Sequence, residues 1–294
     1  MVSMNESLTV QGRLLATEDI LRIRQLIAEN RNWSRRRLSE ALSVEWDWRN
    51  RSGQLKDMAA RSLLLKLAAR GLIELPARRR TPSNRMTDRR EPRRIWDLTP
   101  VTGTFRELGP LIVQEISGNA AERTRVAAAL AEFHYLGFRG TVGENLQYTV
   151  TDAAGRFLAC LLFGAAAWKC QARDQFIEWT REQREQRLFL IANNTRFLIL
   201  PFVKVPHLAS WILGQALRRL SRDWQRKYGH PIVLVETFVE RDRFAGTSYR
   251  AANWTRFGST TGRSRQDRQH RIQVPVKDVY LYPLHRRFRE ELSA

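Results

Sequence analysis

The sequence contains very little cysteine: Cys160 and Cys170 are the only two in 294 residues. Two thiols cannot build a disulfide framework, and neither lies near a pair of histidines at the spacing of a zinc site. Both belong to the apolar segment FLACLLFGAAAWKC, where buried and unreactive thiols are expected. This excludes disulfide-rich secreted domains and zinc fingers.

Long hydrophobic runs are also missing. No apolar run reaches about 18 residues, the length that a membrane-spanning helix needs. The N-terminus lacks the basic region, apolar region and cleavage site of a secretory signal peptide. We therefore expect a cytoplasmic protein without a membrane partner.

Acidic residues are scarce relative to basic ones: 30 Asp and Glu stand against 50 Lys and Arg, and the formal net charge is +20. Lysine is rare as well, with six residues, so almost all of the positive charge is arginine. A GC-rich genome would explain arginine in place of lysine but not an excess of cations. Arginine binds phosphate through a planar fork and stacks on bases. The composition therefore predicts a nucleic-acid partner, in preference to an acidic protein or an anionic membrane.

Three helical segments occupy residues 17–76, after a lead over residues 1–16 that we expect to be flexible. Thr17 is the expected N-cap of the first helix and Ser34 that of the second. The stretch LIELP then predicts a short strand that ends at Pro76. This order is typical of a winged-helix-like domain, and a small helical bundle with a solvated basic face is the alternative.

The third helix has an apolar side and a basic side. Its apolar residues are expected to pack inward: Leu55, Met58, Ala59, Leu63 and Leu67. The basic side chains of Lys56, Arg61 and Lys66 would then face outward, toward a DNA groove if the domain is a winged helix.

Residues 77–95 contain many arginines and prolines and almost no aliphatic side chains. Such a segment cannot form a core, so it is predicted to be a linker or an extended wing. Its arginines are candidates to contact DNA phosphates: Arg78, Arg79, Arg80, Arg93 and Arg94. A linker that is merely solvated fits the composition equally well.

Residues 96–294 alternate between helices and strands. A β-hairpin is predicted over NLQYTVTDAAGRFLACLLFGAA, and buried strands over NNTRFLILPFV and HPIVLVETFV. The amphipathic helix HLASWILGQALRRLSRDWQRKYG lies between those two strands, which is the arrangement of a parallel crossover. The sequence therefore predicts a mixed-sheet α/β (α+β) domain.

This element order resembles the GNAT acetyltransferase fold. In that fold a strand feeds a loop that holds the cofactor pyrophosphate at a helix N-terminus. A tyrosine enters the last strands, and Tyr249 has the corresponding spacing before Asn253 and Trp254. The family's loop needs glycines so that backbone amides can approach phosphate, but Pro206 and His207 stand here. The resemblance thus implies the fold, while acyl-CoA is not expected as a cofactor.

A second resemblance covers most of the chain, about residues 20–285. Five blocks carry it, in this order: FHYLGFRG, GRFLACLLFGAAAWKCQARDQFIEW, NNTRFLILPFVKVPHLAS, ETFVERDRFAGTSYRAANW and GSTTGR. Together they resemble the DruA family of the Druantia antiphage defence system. The resemblance implies a role in bacterial defence or an association with mobile elements, and other proteins of a defence operon as partners. It assigns no catalytic residue.

Several polar residues are candidates for chemistry. His134 follows a predicted helix, where it would be a general base or would bind the last carbonyls of the helix. Asn193 and Asn194 open a predicted buried strand, where their amides would bind the edge of a base or satisfy backbone groups.

Glu236 ends the apolar run IVLVE, at the carboxyl end of a predicted strand, where ligands bind in α/β sheets. A carboxyl buried there would be a general base with a raised pKa. With Asp174 and Asp242 it could hold a divalent metal for phosphodiester cleavage or strand transfer, although the chain has no HNH or DDE motif. The alternative is a structural ion pair with Arg250 or Arg256.

The segment GTSYRAANWTRFGSTTGR mixes aromatic and cationic residues. We expect a short helix over residues 249–253, a strand over residues 255–259 and a basic turn after them. Tyr249 is expected to line a cleft beside Glu236, where it would be catalytic; the alternative is a buried Tyr249 in a structural segment with a cationic rim. The candidates for nucleic-acid contacts in and just after this segment are Arg250, Asn253, Arg263 and Arg265.

The leading hypothesis is a DNA-binding protein of antiphage defence that engages DNA through a winged helix and a basic α/β domain. An enzyme acting on nucleic acid is the first alternative. It would be a metal-dependent nuclease or strand transferase, or a GNAT-like transferase that modifies bases. A scaffold that recruits the other proteins of a defence operon is the second.

Overall fold

Two units make up the chain, Met1–Asn84 and Arg85–Ala294, each with its own hydrophobic core. The computed structural model describes residues 8–10, 13–49, 53–77, 95–262 and 274–294.

The N-terminal unit consists of a short hairpin and three helices. Its elements are β1 (Leu8–Val10), β2 (Arg13–Leu15), α1 (Thr17–Glu29), α2 (Arg35–Glu45) and α3 (Asp57–Ala69). The three helices lie where the sequence predicts them. Ser34 caps α2 by accepting a hydrogen bond from the Arg37 N–H, whereas α1 is capped one residue earlier than expected, at Ala16.

Three details of this unit differ from the prediction. Residues 72–76 do not form a strand, because arginines rather than a neighbouring strand bind their carbonyls: Arg24 donates to Leu72 and Arg35 to Pro76, both at 2.7 Å. Met58 is 62% exposed rather than packed inward with Leu63. The hairpin β1–β2 also lies within the lead that was expected to be flexible.

The C-terminal unit is built on a seven-stranded mixed sheet. The described strands of the unit, seven in this sheet and two in a separate pair, are β3 (Val101–Thr102), β4 (Ile112–Glu115), β5 (Asn145–Thr151), β6 (Phe157–Ala165), β7 (Ile191–Ile199), β8 (Val203–Lys204), β9 (Leu234–Glu240), β10 (Thr255–Ser259) and β11 (Lys277–Pro283). The large sheet has the order β10-β11-β9-β7-β6-β5-β4, and β3 pairs with β8 separately. Only β7 and β9 run parallel in the large sheet. The predicted mixed α/β fold is confirmed.

In the described part of this unit, six α-helices accompany the sheet. They are α4 (Ala120–Phe133), α5 (Gln171–Ile177), α6 (Arg181–Arg187), α7 (Leu208–Tyr228), α8 (Thr247–Ala251) and α9 (Phe288–Ser293). The long helix α7 makes the crossover from β7 to β9 and buries Leu213, Leu220 and Trp224 in the core. It ends at Gly229, whose φ of 79° is the left-handed conformation of a helix-terminating glycine.

The parallel pair β7–β9 is short. Its register covers only Ile191–Leu234, Ala192–Val235 and Asn193–Glu236, although β7 continues to Ile199 and β9 to Glu240. Beyond Asn193 each strand pairs only with its outer neighbour, β6 or β11. A gap therefore opens in the sheet between the carboxyl ends of the two strands.

Candidate functional site

A cavity of about 490 Å³ fills this gap. We call it the aromatic cleft, because its walls come from the ends of α4, β7 and β9 and from α8, and they carry seven aromatic rings. The rings belong to Phe133, His134, Tyr135, Phe197, Phe238, Phe244 and Tyr249. None of the described residues that line it is Asp, Glu, Lys or Arg. This cavity is in the size range of small-molecule sites, about 300–1,000 Å³.

Gly246 allows α8 to close one side of the cleft. Its φ is +68°, in the left-handed region, and an added Cβ would lie 2.6 Å from Tyr280 Cζ. Glycine is the residue that takes this conformation without strain and leaves room for the tyrosine ring. The start of α8, and hence the position of Tyr249, depends on that close approach.

Tyr249 lines the cleft but its hydroxyl is held by the protein. The hydroxyl donates to Asn194 Oδ1 at 2.7 Å, and Thr237 Oγ1 donates to the Asn194 carbonyl at 3.0 Å. Burial raises the pKa of Tyr249 to about 12, so the hydroxyl is protonated at neutral pH. The Tyr249 ring also contacts Trp254, with ring centroids 5.2 Å apart. A catalytic role for Tyr249 stays a prediction.

His134 is uncharged in this environment. Burial and, to a smaller extent, the nearby Arg196 together lower its pKa to about 4. Its Nδ1 accepts a hydrogen bond from the Leu136 N–H at 3.2 Å, which leaves the proton of the neutral ring on Nε2. His134 therefore supplies a hydrogen-bond donor to the cleft wall instead of the free lone pair of a general base. It does not bind the last carbonyls of α4 either; it binds the turn that follows.

Glu236 is not in the cleft. Its side chain is 0% exposed, Oε1 accepts from the Ala167 N–H at 2.6 Å, and Oε2 accepts from Arg173 Nη1 at 2.9 Å. Burial raises the pKa of the Glu236 carboxyl, as predicted, while Arg173 and the Ala167 N–H lower it. Both oxygens accept from N–H donors, one of them a guanidinium, so the group is held as the carboxylate. The predicted general base is wrong, because no substrate can reach it.

Glu236 does form an ion pair, as the alternative predicted, but its partner is Arg173 and not Arg250 or Arg256. Burial acts to lower the pKa of Arg173, and the carboxylates of Glu236 and Asp174 raise it above its ordinary value. Arg256 instead binds Asp278, with Nη2 2.9 Å from Oδ1.

The predicted metal ligands are not assembled. Asp174 Oδ1 accepts from Arg173 Nη2 at 2.8 Å, so the same guanidinium occupies this carboxylate and that of Glu236. Asp242 is exposed in the turn after β9. Among the described residues, no group of three or more His, Cys, Asp and Glu side chains could hold a metal ion.

The predicted nucleic-acid contacts of the C-terminal unit divide into two kinds. Asn194 is buried, and its Nδ2 donates to the Leu162 carbonyl at 3.0 Å, so it has no group free for a base. Asn193 is half-buried. Arg250 and Asn253 are exposed on and just after α8, beside the cleft.

The N-terminal candidates are partly accessible. Lys66 is exposed and Lys56 is half-buried, while Arg61 is half-buried with Nη2 3.7 Å from Asp57. The remaining predicted contacts lie outside the described residues: Arg78, Arg79, Arg80, Arg93, Arg94, Arg263 and Arg265.

Sequence reasoning missed the mouth of the cleft. Tyr135 and Phe244 are 37% and 46% exposed, and their rings meet edge to face at 5.2 Å. The guanidinium of Arg243 lies over the Tyr135 ring, 4.8 Å from its centroid. The only signal in the sequence is that Phe244 follows the charged residues of RDRF and that three ring-bearing residues are adjacent in FHY. No helix in the described part of the chain is long and apolar enough to cross a membrane.

A search of curated proteins finds no match. Among solved structures, spermidine/spermine N-acetyltransferase SpeG from Vibrio cholerae with manganese ions has 8% identity and a TM-score of 0.38, over 59% of this chain and 92% of that one. The same enzyme with CoA and spermine has 9% identity and a TM-score of 0.38, over 58% and 92%. Nourseothricin acetyltransferase has 11% identity and a TM-score of 0.29, over 48% and 66%. Similarity this low says nothing about the activity of the present chain.

The family model of the Druantia protein DruA matches residues 66–274, which is most of the chain. The match spans α4, the aromatic cleft, the crossover helix and the segment around Tyr249. It confirms the resemblance carried by the five sequence blocks. The chain therefore belongs to the DruA family, a family of antiphage defence.

Proposed function

We propose that this DruA-family protein acts in defence by binding nucleic acid, with DNA favoured, and that the aromatic cleft and its arginine rim are the contact surface of the C-terminal unit. The observation that carries the proposal is that exposed aromatic rings lie next to guanidinium groups that have no hydrogen bond or ion pair with a described residue. Arg243 lies over the Tyr135 ring at the rim, and Arg250 follows the lining residue Tyr249 on α8. Both are exposed, and neither side chain hydrogen-bonds or ion-pairs with a described residue.

Other arginines of this unit are already engaged. Arg241 and Arg256 share Asp278, and Arg181 binds Glu185. Guanidinium groups already paired to carboxylates are poor phosphate ligands, whereas unpaired ones can neutralise phosphates and so release counterions from the nucleic acid. Arginines position a nucleic-acid backbone and aromatic rings stack on its bases, and the rim offers both.

The N-terminal unit supplies a second contact in this proposal. Its three helices have the order of a winged-helix-like domain, and Lys66 is exposed on α3. A basic helix docking in a groove would add affinity for duplex to that of the cleft. The two contributions are separable because each can be weakened by its own substitutions.

Binding of fluorescently labelled DNA at several salt concentrations tests the proposal. Replacing Arg243 and Arg250 by Gln should weaken binding and reduce the salt slope by about 1 for each arginine that contacts phosphate. Arg181→Gln is the matched control, because Arg181 is exposed but paired to Glu185. Negligible affinity of the wild type for DNA and RNA at low salt would refute the proposal. Capture of other defence-operon proteins by such a protein, after nuclease treatment, would support a scaffold.

A transferase acting on nucleic acid is a second candidate, and the position of Tyr249 in the cleft wall favours it. Acyl-CoA is not the expected donor. Pro206 has no N–H, and His207 holds a φ of +63° at the N-cap of α7, a conformation that glycine adopts more readily. Calorimetric titration with CoA should therefore give no heat of binding. Loss of an activity on DNA in Tyr249→Phe, with binding intact, would establish the transferase.

A further inference from the structure

The aromatic cleft separates neutral groups from charged ones. Every lining side chain is uncharged at neutral pH, including His134, whose burial keeps the ring neutral. The positive charges of Arg243 and Arg250 lie at the rim instead. A ligand that complements this distribution has a neutral part that enters the cleft and an anionic part that stays outside.

The mouth of the cleft favours a flat neutral part. Phe244 exposes a large ring surface there, and a planar ligand would cover it by stacking. The Tyr135 ring is stacked on His134, with centroids 5.0 Å apart, so a ligand would cover only its remaining exposed surface. The Tyr135 ring already has the guanidinium of Arg243 on it, which adds a cation beside the stacked group.

The interior offers hydrogen bonds as well as rings. Thr247 and Ser248 line the cleft, and the β7–β9 ladder ends at Asn193 and Glu236, so the facing strand edges have no partner strand beyond these residues. A planar ligand with donors and acceptors along its edge would replace part of that missing ladder. A purely apolar ring would leave those groups unbonded, at a cost in affinity.

We infer that the aromatic cleft holds one unstacked nucleobase, with the phosphate attached to its sugar at the arginine rim. This inference rests on the proposed nucleic-acid binding and specifies what enters the site. A nucleobase is flat, neutral and rich in edge donors and acceptors, and its phosphate carries the negative charge that the rim needs. The same chemistry is present in a free mononucleotide and in a nucleotide of a single strand.

The test measures binding of a short single-stranded DNA, the same strand with abasic sites, deoxynucleoside monophosphates and CoA. Tyr135→Ala and Phe244→Ala should each weaken binding of the intact strand by about 5-fold to 100-fold, the range for loss of one base–aromatic stack. The abasic strand should bind the wild type and both variants equally weakly, with the affinity that the variants have for the intact strand. Both residues are partly exposed, so circular dichroism should show unchanged folding.

Two matched controls separate stacking from general damage. Tyr135→Phe keeps the ring, so it should recover most of the binding that Tyr135→Ala loses. Trp168→Ala removes a 42% exposed aromatic side chain that does not line the cleft, and it should also leave binding unchanged.

The outcomes distinguish the inference from the function it rests on. Strand binding that is salt-dependent but indifferent to Tyr135→Ala, Phe244→Ala and abasic sites overturns the inference and leaves the proposed function standing. Binding of mononucleotides without binding of any strand supports a nucleobase site and overturns the proposed function. Binding of CoA without binding of any nucleotide overturns the inference.

Discussion

Replacing Glu236 by Gln should destabilise the C-terminal unit, because it removes the charge of one partner from a wholly buried ion pair. Glu236 and Arg173 are both 0% exposed, and Oε2 and Nη1 are 2.9 Å apart. An uncompensated buried charge costs about 3–5 kcal/mol. The Gln amide keeps an oxygen for the Ala167 N–H, and Arg173 keeps Asp174, so the lower end, about 3 kcal/mol, is expected.

Urea unfolding followed by tryptophan fluorescence measures this difference, and in a unit of this size it corresponds to a fall in Tm of about 6–12 °C. Glu240→Gln is the matched control, since Glu240 lies on the same strand at a less buried position, and it should change stability by less than about 0.5 kcal/mol. Adding Arg173→Met to Glu236→Gln should restore part of the loss, because no buried cation then lacks its partner.

A free energy of unfolding within about 0.5 kcal/mol of the wild type in Glu236→Gln would refute this reasoning. It would mean that Asp174 and the Ala167 carbonyl satisfy Arg173 by themselves. If the loss is as large as expected, a functional defect in Glu236→Gln cannot be read as evidence of a catalytic carboxylate.

Two further outcomes are expected. Gly246→Ala should lower the free energy of unfolding by about 2–4 kcal/mol, because φ is +68° and the added Cβ would lie 2.6 Å from Tyr280 Cζ. Gly214→Ala is the control: Gly214 lies in α7 with no heavy atom within 4 Å of an added Cβ, so this variant should be more stable by up to about 1 kcal/mol. Urea unfolding of both variants measures the difference, and equal effects would contradict the prediction. His134, with a pKa of about 4 against 6.5 unfolded, should contribute stability that is complete above pH 6.5 and is lost as pH falls through about 4, by about 1–2 kcal/mol after allowing for its partial exposure. His134→Asn, which keeps an acceptor for the Leu136 N–H, should remove this part of the pH dependence, and an unchanged profile would contradict the assignment.

The sheet could be predicted because its strands carry strong local signals. The hairpin of β5 and β6 has the turn residues between two apolar runs, and α7 has a long apolar stripe between two buried strands. The strand predicted over residues 72–76 failed for a reason that no local pattern contains. Arg24 and Arg35, which lie on other helices, take its carbonyl groups.

The site was predictable only in part. Tyr249 stood out because its segment is both aromatic and cationic, and it does line the cleft. Glu236 was misassigned because its place at a strand end is visible in the sequence, but the buried Arg173 across from it, on α5, is not. Arg243 and Phe244 were missed because they become part of a site only where the turn after β9 meets Tyr135.

Side-chain contacts stabilise the short parallel pairing of β7 with β9 on both faces of the sheet. Glu236, its last paired residue, is tied to Arg173 on one face, and the next residue, Thr237, bonds to Asn194 on the other. Because neighbouring residues of a strand point to opposite faces, these two contacts hold the same end of the β7–β9 pairing. These contacts therefore fix the depth of the cleft. The length of a bound molecule then determines how much of it remains outside, within reach of Arg243 and Arg250.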